Sequence, residues 1–187
     1  MCIRDRIRGE KGCSVVDLPG IYSLRPYTQE EIVSRDFILN QKPDGMINIV
    51  DATNIERNLY LTLQLMELER PVVIALNLMD ELERRGIHPD CAALSRLLGA
   101  PVVPISASKN EGVAELVTVA LRTVQNNERP KHHDFCKGEV HRAIHSLAHM
   151  IEDHAEEKKI PLRFAATKLV EGDEAMMDKL EINQNER

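Results

Sequence analysis

Three short motifs in this chain have residue types and spacing that suit nucleotide recognition. Each follows a short apolar run, and in chain order they are Asp17-Leu18-Pro19-Gly20, Asn77-Leu78-Met79-Asp80 and Ser106-Ala107-Ser108. The first has the form of a γ-phosphate sensor, and the other two have the form of the halves of a guanine pocket. Each is weak alone, because Asp, Asn, Gly and Ser are common where strands turn. The prediction of a nucleotide site therefore depends on the order of the three motifs and on the position of each one after an apolar run.

The first motif offers contacts to a phosphate and its metal ion. We expect Asp17 to accept hydrogen bonds from water in a Mg²⁺ shell. The amide of Gly20 could approach a γ-phosphate closely, because glycine has no side chain in the way. The alternative is an ordinary turn at the end of a strand.

The second and third motifs would read the base. A carboxylate at Asp80 can accept hydrogen bonds from both the ring N–H and the exocyclic amine of guanine, which adenine does not offer in that geometry. Asn77 would hold neighbouring loops together and touch the purine edge, and Leu78 would pack on the base. Small residues at Ser106, Ala107 and Ser108 would let a backbone N–H reach the guanine O6; the alternative is a serine cap on the next helix.

The elements that position these motifs alternate between strand and helix. Apolar runs of strand length precede helical patterns four times, which predicts an α/β fold with a parallel sheet covered by helices and the motifs on one rim. The predicted strands are residues 14–18, 45–51, 71–77 and 101–106, and the predicted helices are residues 29–40, 55–68, 90–98 and 113–125.

The C-terminal part of the chain has a different pattern. A polar stretch with a proline, residues 126–130, separates the alternating region from a helical tail. We therefore predict two domains, 1–128 and 131–187, the second being small and all-helical. We predict two or three helices in this tail, with a chain break at Pro161 between the first helix and the second.

Charge and hydropathy exclude other classes of protein. The formal net charge is -6, and no polybasic run is present, so nucleic acid is not an expected partner. The longest apolar stretches are of strand length, far short of the ~20 residues that a membrane-spanning helix needs. The sequence therefore predicts a soluble chain.

The chain resembles the FeoB family of bacterial ferrous-iron transporters. Two segments carry the resemblance besides Asn77-Leu78-Met79-Asp80: Val16-Asp17-Leu18-Pro19-Gly20-Ile21-Tyr22-Ser23-Leu24, and Asp51-Ala52-Thr53-Asn54-Ile55-Glu56-Arg57-Asn58-Leu59-Tyr60-Leu61-Thr62, which is long and specific to the family. Residues from about Lys131 onward resemble its helical domain, best at Lys168-Leu169-Val170-Glu171-Gly172-Asp173.

The resemblance implies a fold, an activity and partners. It implies a P-loop-GTPase-like domain that binds GTP or GDP with Mg²⁺ and hydrolyses GTP slowly, regulating or driving ferrous iron uptake. It also implies a place on the cytoplasmic face of the bacterial inner membrane, joined to a membrane-embedded iron-permease part. A homo-oligomer is consistent with it.

Two departures bear on activity. No G-x-x-x-x-G-K-[ST] phosphate loop precedes Asp17, so we expect this stretch alone to bind nucleotide weakly or not at all and to be inactive as a GTPase. Ile21 stands after Gly20, where many GTPases place a water-orienting Gln, so no catalytic residue is assigned.

Other readings remain open. One is a GTPase-like interaction module that turns over no nucleotide and acts through protein contacts. An ATPase is disfavoured by Asp80. His141, His145 and His149 recur every four residues, and histidines at that spacing can share a metal ion. The apolar stripe Val140, Ile144, Leu147 and Ile151 already explains a helix there, so a plain polar face is the simpler interpretation.

Overall fold

The computed structural model describes the backbone of residues 3–6 and, with side chains, residues 13–131 and 137–182. The chain divides into two compact units, Met1–Lys42 and Pro43–Arg187.

The first unit contains a two-stranded antiparallel sheet and a helix. Strand β1 (Ile3–Arg6) pairs with β2 (Ser14–Asp17), so that Ile3 lies opposite Asp17. Helix α1 (Gln29–Asp36) follows and ends in a π-helical turn, Phe37–Gln41. Thr28 begins the helix through a capping box, in which its hydroxyl accepts from the amide of Glu31 and the Glu31 carboxylate accepts from the amide of Thr28.

The pairing of β2 differs from the prediction. Its apolar residues predicted a buried parallel strand, but β2 pairs antiparallel with β1, for which no strand was predicted, and Val15 is exposed. A run of only four residues does not specify the direction of its partner, because that depends on segments elsewhere in the chain.

The second unit is built on a three-stranded parallel sheet. Its order is β3 (Met46–Asp51), β4 (Val72–Asn77) and β5 (Val102–Pro104), which confirms the strands predicted at residues 45–51, 71–77 and 101–106. The first five residues of the central strand β4 are fully buried, as expected for a parallel strand covered on both faces.

Helices connect the strands of this sheet, and one more follows its last strand. They are α2 (Ile55–Met66), α3 (Met79–Arg84), α4 (Cys91–Leu98) and α5 (Val113–Gln125), and all except the short α3 were predicted. One face of the sheet packs against α5 in a cluster of apolar side chains from β4, from β5 and the residue after it, and from α5: Val73, Ala75, Val103, Ile105, Leu116, Val119 and Ala120.

Within residues 137–182, four helices follow the predicted linker, whose residues 126–130 form neither helix nor strand. They are α6 (Gly138–Met150), α7 (Glu152–Lys158), α8 (Leu162–Val170) and α9 (Glu174–Lys179). Pro161 lies immediately before α8, so it separates the second and third helices of the tail and not the first and second as predicted, and the described residues of the tail form more helices than the two or three expected. The additional break at Ile151 leaves α6 and α7 as separate helices, which apolar periodicity alone did not reveal. The boundary between domains 1–128 and 131–187 stays a prediction.

Helices α2 and α8 are joined by polar contacts. Glu67, the C-cap residue of α2, accepts a hydrogen bond from the hydroxyl of Thr167 at 3.1 Å and lies 3.7 Å from the guanidinium of Arg163. Glu171 accepts from the hydroxyl of Tyr60 at 3.2 Å and pairs with the buried ammonium of Lys168 at 2.9 Å. Burial raises the pKa of the Glu67 carboxyl, and the contacts with Thr167 and Arg163 only partly offset that effect.

Among the helices of the described residues, none is long and apolar enough to cross a membrane.

A buried polar pair fixes α2 on the sheet. The side-chain amide of Asn48, on β3, donates to the hydroxyl of Thr62 at 2.7 Å, and both residues are buried. The hydroxyl of Thr62 donates in turn to the carbonyl of Asn58 at 3.1 Å.

Thr62→Val is expected to lower the free energy of unfolding by about 1–3 kcal/mol, because it leaves the buried Asn48 amide without its acceptor. Thr118→Val in α5 is a matched control, since the hydroxyl of Thr118 makes the same bond to the carbonyl four residues earlier but is exposed. The control should change stability by no more than about 0.5 kcal/mol. Urea unfolding measures both, and equal losses would contradict the role given to the Asn48–Thr62 pair.

Stability should also depend on the ionisation of Glu67. A carboxyl whose pKa is raised on folding above its ordinary value of 4.5 holds its proton more tightly in the folded state, so stability falls as the pH rises through the raised pKa. Glu67→Gln removes this loss, and the stability of the variant relative to the parent should therefore increase as the pH is raised from about 4.5 into the neutral range. Urea unfolding across that range tests it. Glu56→Gln, at an exposed position of α2, controls for charge, and a Glu67→Gln curve parallel to the parent's would refute the prediction.

Candidate nucleotide-binding site

The turn after β4 places Asp80. Asn77 is the last residue of the strand, and Leu78 then adopts a left-handed conformation with φ 66° and ψ 31°. Such a conformation costs a residue with a side chain about 1–2 kcal/mol. The amide of Met79 offsets part of that cost by donating to the carbonyl of Ile105 at 3.3 Å. Helix α3 therefore begins at once, with Asp80 in its first turn.

The loop after β5 is a tight, internally bonded turn. Ser106 and Glu111 exchange two backbone hydrogen bonds of 3.1 Å each, around a 3₁₀ turn, Ala107–Lys109. Gly112 closes the loop with φ +74°, and a Cβ there would lie 2.3 Å from the carbonyl oxygen of Pro104. Glycine is therefore required at this position on both conformational and steric grounds.

The carboxylate of Asp80 is held by the serine of this loop. The Ser106 hydroxyl donates to Oδ1 of Asp80 at 2.9 Å, and both side chains are buried. This hydrogen bond is the main cause of a lowered pKa for the Asp80 carboxyl; burial opposes it, and the charges of Lys109 and Arg84 add to it. Asp80 is thus kept as an ionised, oriented hydrogen-bond acceptor.

A second hydrogen bond joins the same two loops. The amide of Ala107 donates to Oδ1 of Asn77 at 3.0 Å, and the hydroxyl of Ser106 lies 3.2 Å from that of Ser108. Ala107 and Ser108 are exposed, and Leu78 is partly exposed. The structure therefore brings the second and third motifs together, with a fixed carboxylate beside an open, small-residue turn. Such an arrangement suits a planar ligand that carries adjacent N–H donors.

The first motif lies in the first unit, Met1–Lys42. Asp17 is exposed at the end of β2, and a Cβ added to Gly20 would meet no atom within 4 Å. An exposed carboxylate fits an outer-shell contact to Mg²⁺, which usually keeps several of its waters. The open surroundings of Gly20 fit the close approach of a phosphate.

Two features of the site were not predicted from the sequence. The hydroxyl of Ser106 supports Asp80, although the motif was read only for its small residues. The left-handed turn at Leu78 has no sequence signal, because leucine rarely adopts that conformation.

The parallel sheet, with N-x-x-D after one strand and S-A-S after the next, is that of a P-loop-GTPase-like G domain, here followed by a helical region. A family model described as Ferrous iron transport protein B matches residues 4–120, and one described as FeoB cytosolic helical domain matches residues 137–187. The chain therefore belongs to the FeoB family of ferrous iron transport proteins.

Solved structures of the family have the same fold. NFeoB from S. thermophilus bound to GDP, AlF₄⁻ and K⁺ is 38% identical with a TM-score of 0.91, over 100% of this chain and 72% of that chain. The same protein bound to mGMPPNP is 39% identical with a TM-score of 0.86, over 100% of this chain and 69% of that one.

Relatives are much longer than this chain. The Fe(2+) transport protein A/Fe(2+) transporter FeoB fusion protein of Porphyromonas gingivalis is 39% identical over 173 residues, which are 90% of this chain and 20% of the relative. The match to the Fe(2+) transporter FeoB of Legionella pneumophila (strain Lens) is 45% identical over 63% of this chain and 16% of the relative. The chain thus spans a fifth or less of the curated relatives that it matches.

Ser106→Ala should raise the pKa of Asp80 toward its ordinary value, because the donor that stabilises the carboxylate is lost. Carboxyl ¹³C chemical shifts followed through an acid titration report that pKa directly. Ser108→Ala is the control, since that hydroxyl contacts Ser106 and makes no bond to Asp80 among the described contacts. An Asp80 titration that is the same in both variants would show that Ser106 does not hold the carboxylate.

Proposed function

We propose that this chain is the nucleotide-binding switch of a ferrous-iron transporter, which binds GTP and GDP with Mg²⁺ and hydrolyses GTP slowly to regulate or drive iron uptake. The observation that supports it best is the carboxylate of Asp80, ionised and oriented by Ser106 at 2.9 Å next to an open turn. NFeoB from S. thermophilus, of the same fold, was crystallised with GDP and with mGMPPNP.

In this proposal Asp80 selects guanine. Its two oxygens accept from the ring N–H and the exocyclic amine, whereas adenine would leave one of these acceptors without a donor. The backbone of residues 106–108 provides an N–H for the guanine O6. Asn77 contributes by fixing that backbone, and Leu78 packs on the base.

The phosphate end of the nucleotide is assigned to the first motif. Asp17 would bind Mg²⁺ through a water molecule, and the amide of Gly20 would contact the γ-phosphate. Residues 1–187 contain no G-x-x-x-x-G-K-[ST] loop, whose amides and lysine provide most contacts to a triphosphate in this fold. We therefore expect this stretch by itself to bind nucleotide weakly.

The proposed partner is a membrane-embedded iron-permease part of the same protein, with the present chain on the cytoplasmic face of the bacterial inner membrane. Support comes from the relatives, which are named Fe(2+) transporters and extend far beyond the matched region. The assignment of Fe²⁺ as the transported ion rests on that family relationship.

One observation favours a second function. Ile21 follows Gly20, and an aliphatic side chain cannot orient a water molecule by hydrogen bonding. A domain that turns over no nucleotide and works as an interaction module through its sheet and helices would need no such residue. An in-frame phosphate loop upstream of Asp17 in the gene separates the two proposals, because only the switch requires it.

Asp80→Asn should change base preference in the protein extended upstream, provided that the gene encodes a phosphate loop there. Asparagine offers one acceptor and one donor, which match xanthine, whose C2 position carries a carbonyl in place of the amine. GDP affinity should fall by at least about 30-fold, and XDP affinity should rise above that of the parent. Fluorescence titration with labelled GDP, and competition by XDP, measure both.

The control for this substitution is Glu81→Gln, which removes the neighbouring carboxylate of the same helical turn and should leave GDP affinity nearly unchanged. Unaltered GDP affinity in Asp80→Asn would remove Asp80 from the pocket. Absence of GDP binding by the extended parent protein would favour the interaction module.

A further inference from the structure

Helix α6 carries three histidines on successive turns. His141, His145 and His149 are spaced four residues apart within Gly138–Met150, so their side chains lie along one side of the helix. The buried Ile144 anchors α6, whereas His145 and His149 are exposed. These two side chains take no part in the core or in the candidate nucleotide site.

The two neighbouring histidine pairs differ in geometry. The ring centroids of His145 and His149 are 4.6 Å apart, with an angle of 58° between the ring planes. Those of His141 and His145 are 6.3 Å apart, at 51°. The two histidine pairs therefore have the same sequence spacing but different distances between their rings.

Metal-ligand distances distinguish these arrangements. An imidazole nitrogen about 2.1 Å from Zn²⁺ places the ring centroid about 3.2 Å from the ion, so two imidazoles at about 90–110° have centroids about 4.5–5.2 Å apart. The His145–His149 separation of 4.6 Å falls in that range. The 6.3 Å separation of His141 and His145 would require an almost linear arrangement, which is foreign to a four- or six-coordinate ion.

We propose that His145 and His149 form a two-imidazole site for a divalent transition-metal cation, with water completing the coordination. No group of three or more His, Cys, Asp or Glu side chains able to hold a metal occurs among the described residues, so water would supply the remaining ligands at this pair. The site is separate from the proposed nucleotide switch and does not depend on it.

The ligand type defines which cations this site takes. Imidazole suits Zn²⁺, Ni²⁺ and Cu²⁺, whereas Mg²⁺ and Ca²⁺ prefer oxygen ligands. Affinity for Fe²⁺ should be lower than for Ni²⁺ or Cu²⁺, following the general order of divalent metals. The site is therefore assigned to borderline cations and not to the Mg²⁺ that accompanies a nucleotide.

Calorimetric titration of the untagged 187-residue chain with Zn²⁺ tests the proposal. His145→Ala and His149→Ala should each weaken binding at this site by at least about tenfold, because one of its two protein ligands is lost. His141→Ala is the matched control: it removes a histidine from the same helix face and should leave the affinity within about twofold of the parent. Circular dichroism verifies that every variant keeps its helices.

Histidine ring signals in NMR spectra locate the metal independently. Substoichiometric Zn²⁺ should shift the ring resonances of His145 and His149 together, with smaller changes at His141. Loss of binding in His141→Ala equal to that in the other two variants would overturn the assignment to this pair. Unchanged Zn²⁺ binding in His145→Ala and His149→Ala, or its absence in the parent chain, would overturn the site itself.

Discussion

The parallel ladder between β4 and β5 is the constraint on which the candidate site depends. Leu76 lies opposite Pro104, and the amide of Ile105 donates to the carbonyl of Leu76 at 2.8 Å, so the two strands end at nearly the same level. Side chains that follow the strands are therefore brought to a common edge. A shift in register would move Asn77 and Ser106 apart and break the hydrogen bonds Ser106–Asp80 and Ala107–Asn77.

Electrostatics and loop geometry reinforce each other at that edge. Asp80 is a buried carboxylate, and burial alone would favour its protonated form. The hydroxyl of Ser106 reverses that preference, but it can do so only because the tight turn closed by Gly112 holds it in place. The same turn presents the exposed backbone beside the carboxylate. The acceptor and the open turn are therefore two consequences of one loop conformation.

The helical region is connected to helix α2 of the G domain by charged and polar groups. Glu67 ends α2 and contacts α8, and Lys168 is fully buried with Glu171 as a partner. Removing one member of such a network leaves a buried charge uncompensated, which costs more than the pair itself contributes. Helix α2 begins immediately after β3 and its 3₁₀ turn, so this network links the helical region to a strand of the sheet.

The sequence by itself determined the α/β alternation, the parallel strands of the second unit and most helix limits, because apolar periodicity and caps such as Thr28 act locally. It also specified the order of the three motifs and, through the longer segments 16–24 and 51–62, the resemblance to the family. Only the tertiary structure decided the antiparallel partner of β2, the left-handed turn at Leu78, the support of Asp80 by Ser106 and the unequal spacing of the histidine pairs on α6. These features depend on contacts between segments distant in the chain or on side-chain rotamers, neither of which a residue pattern encodes.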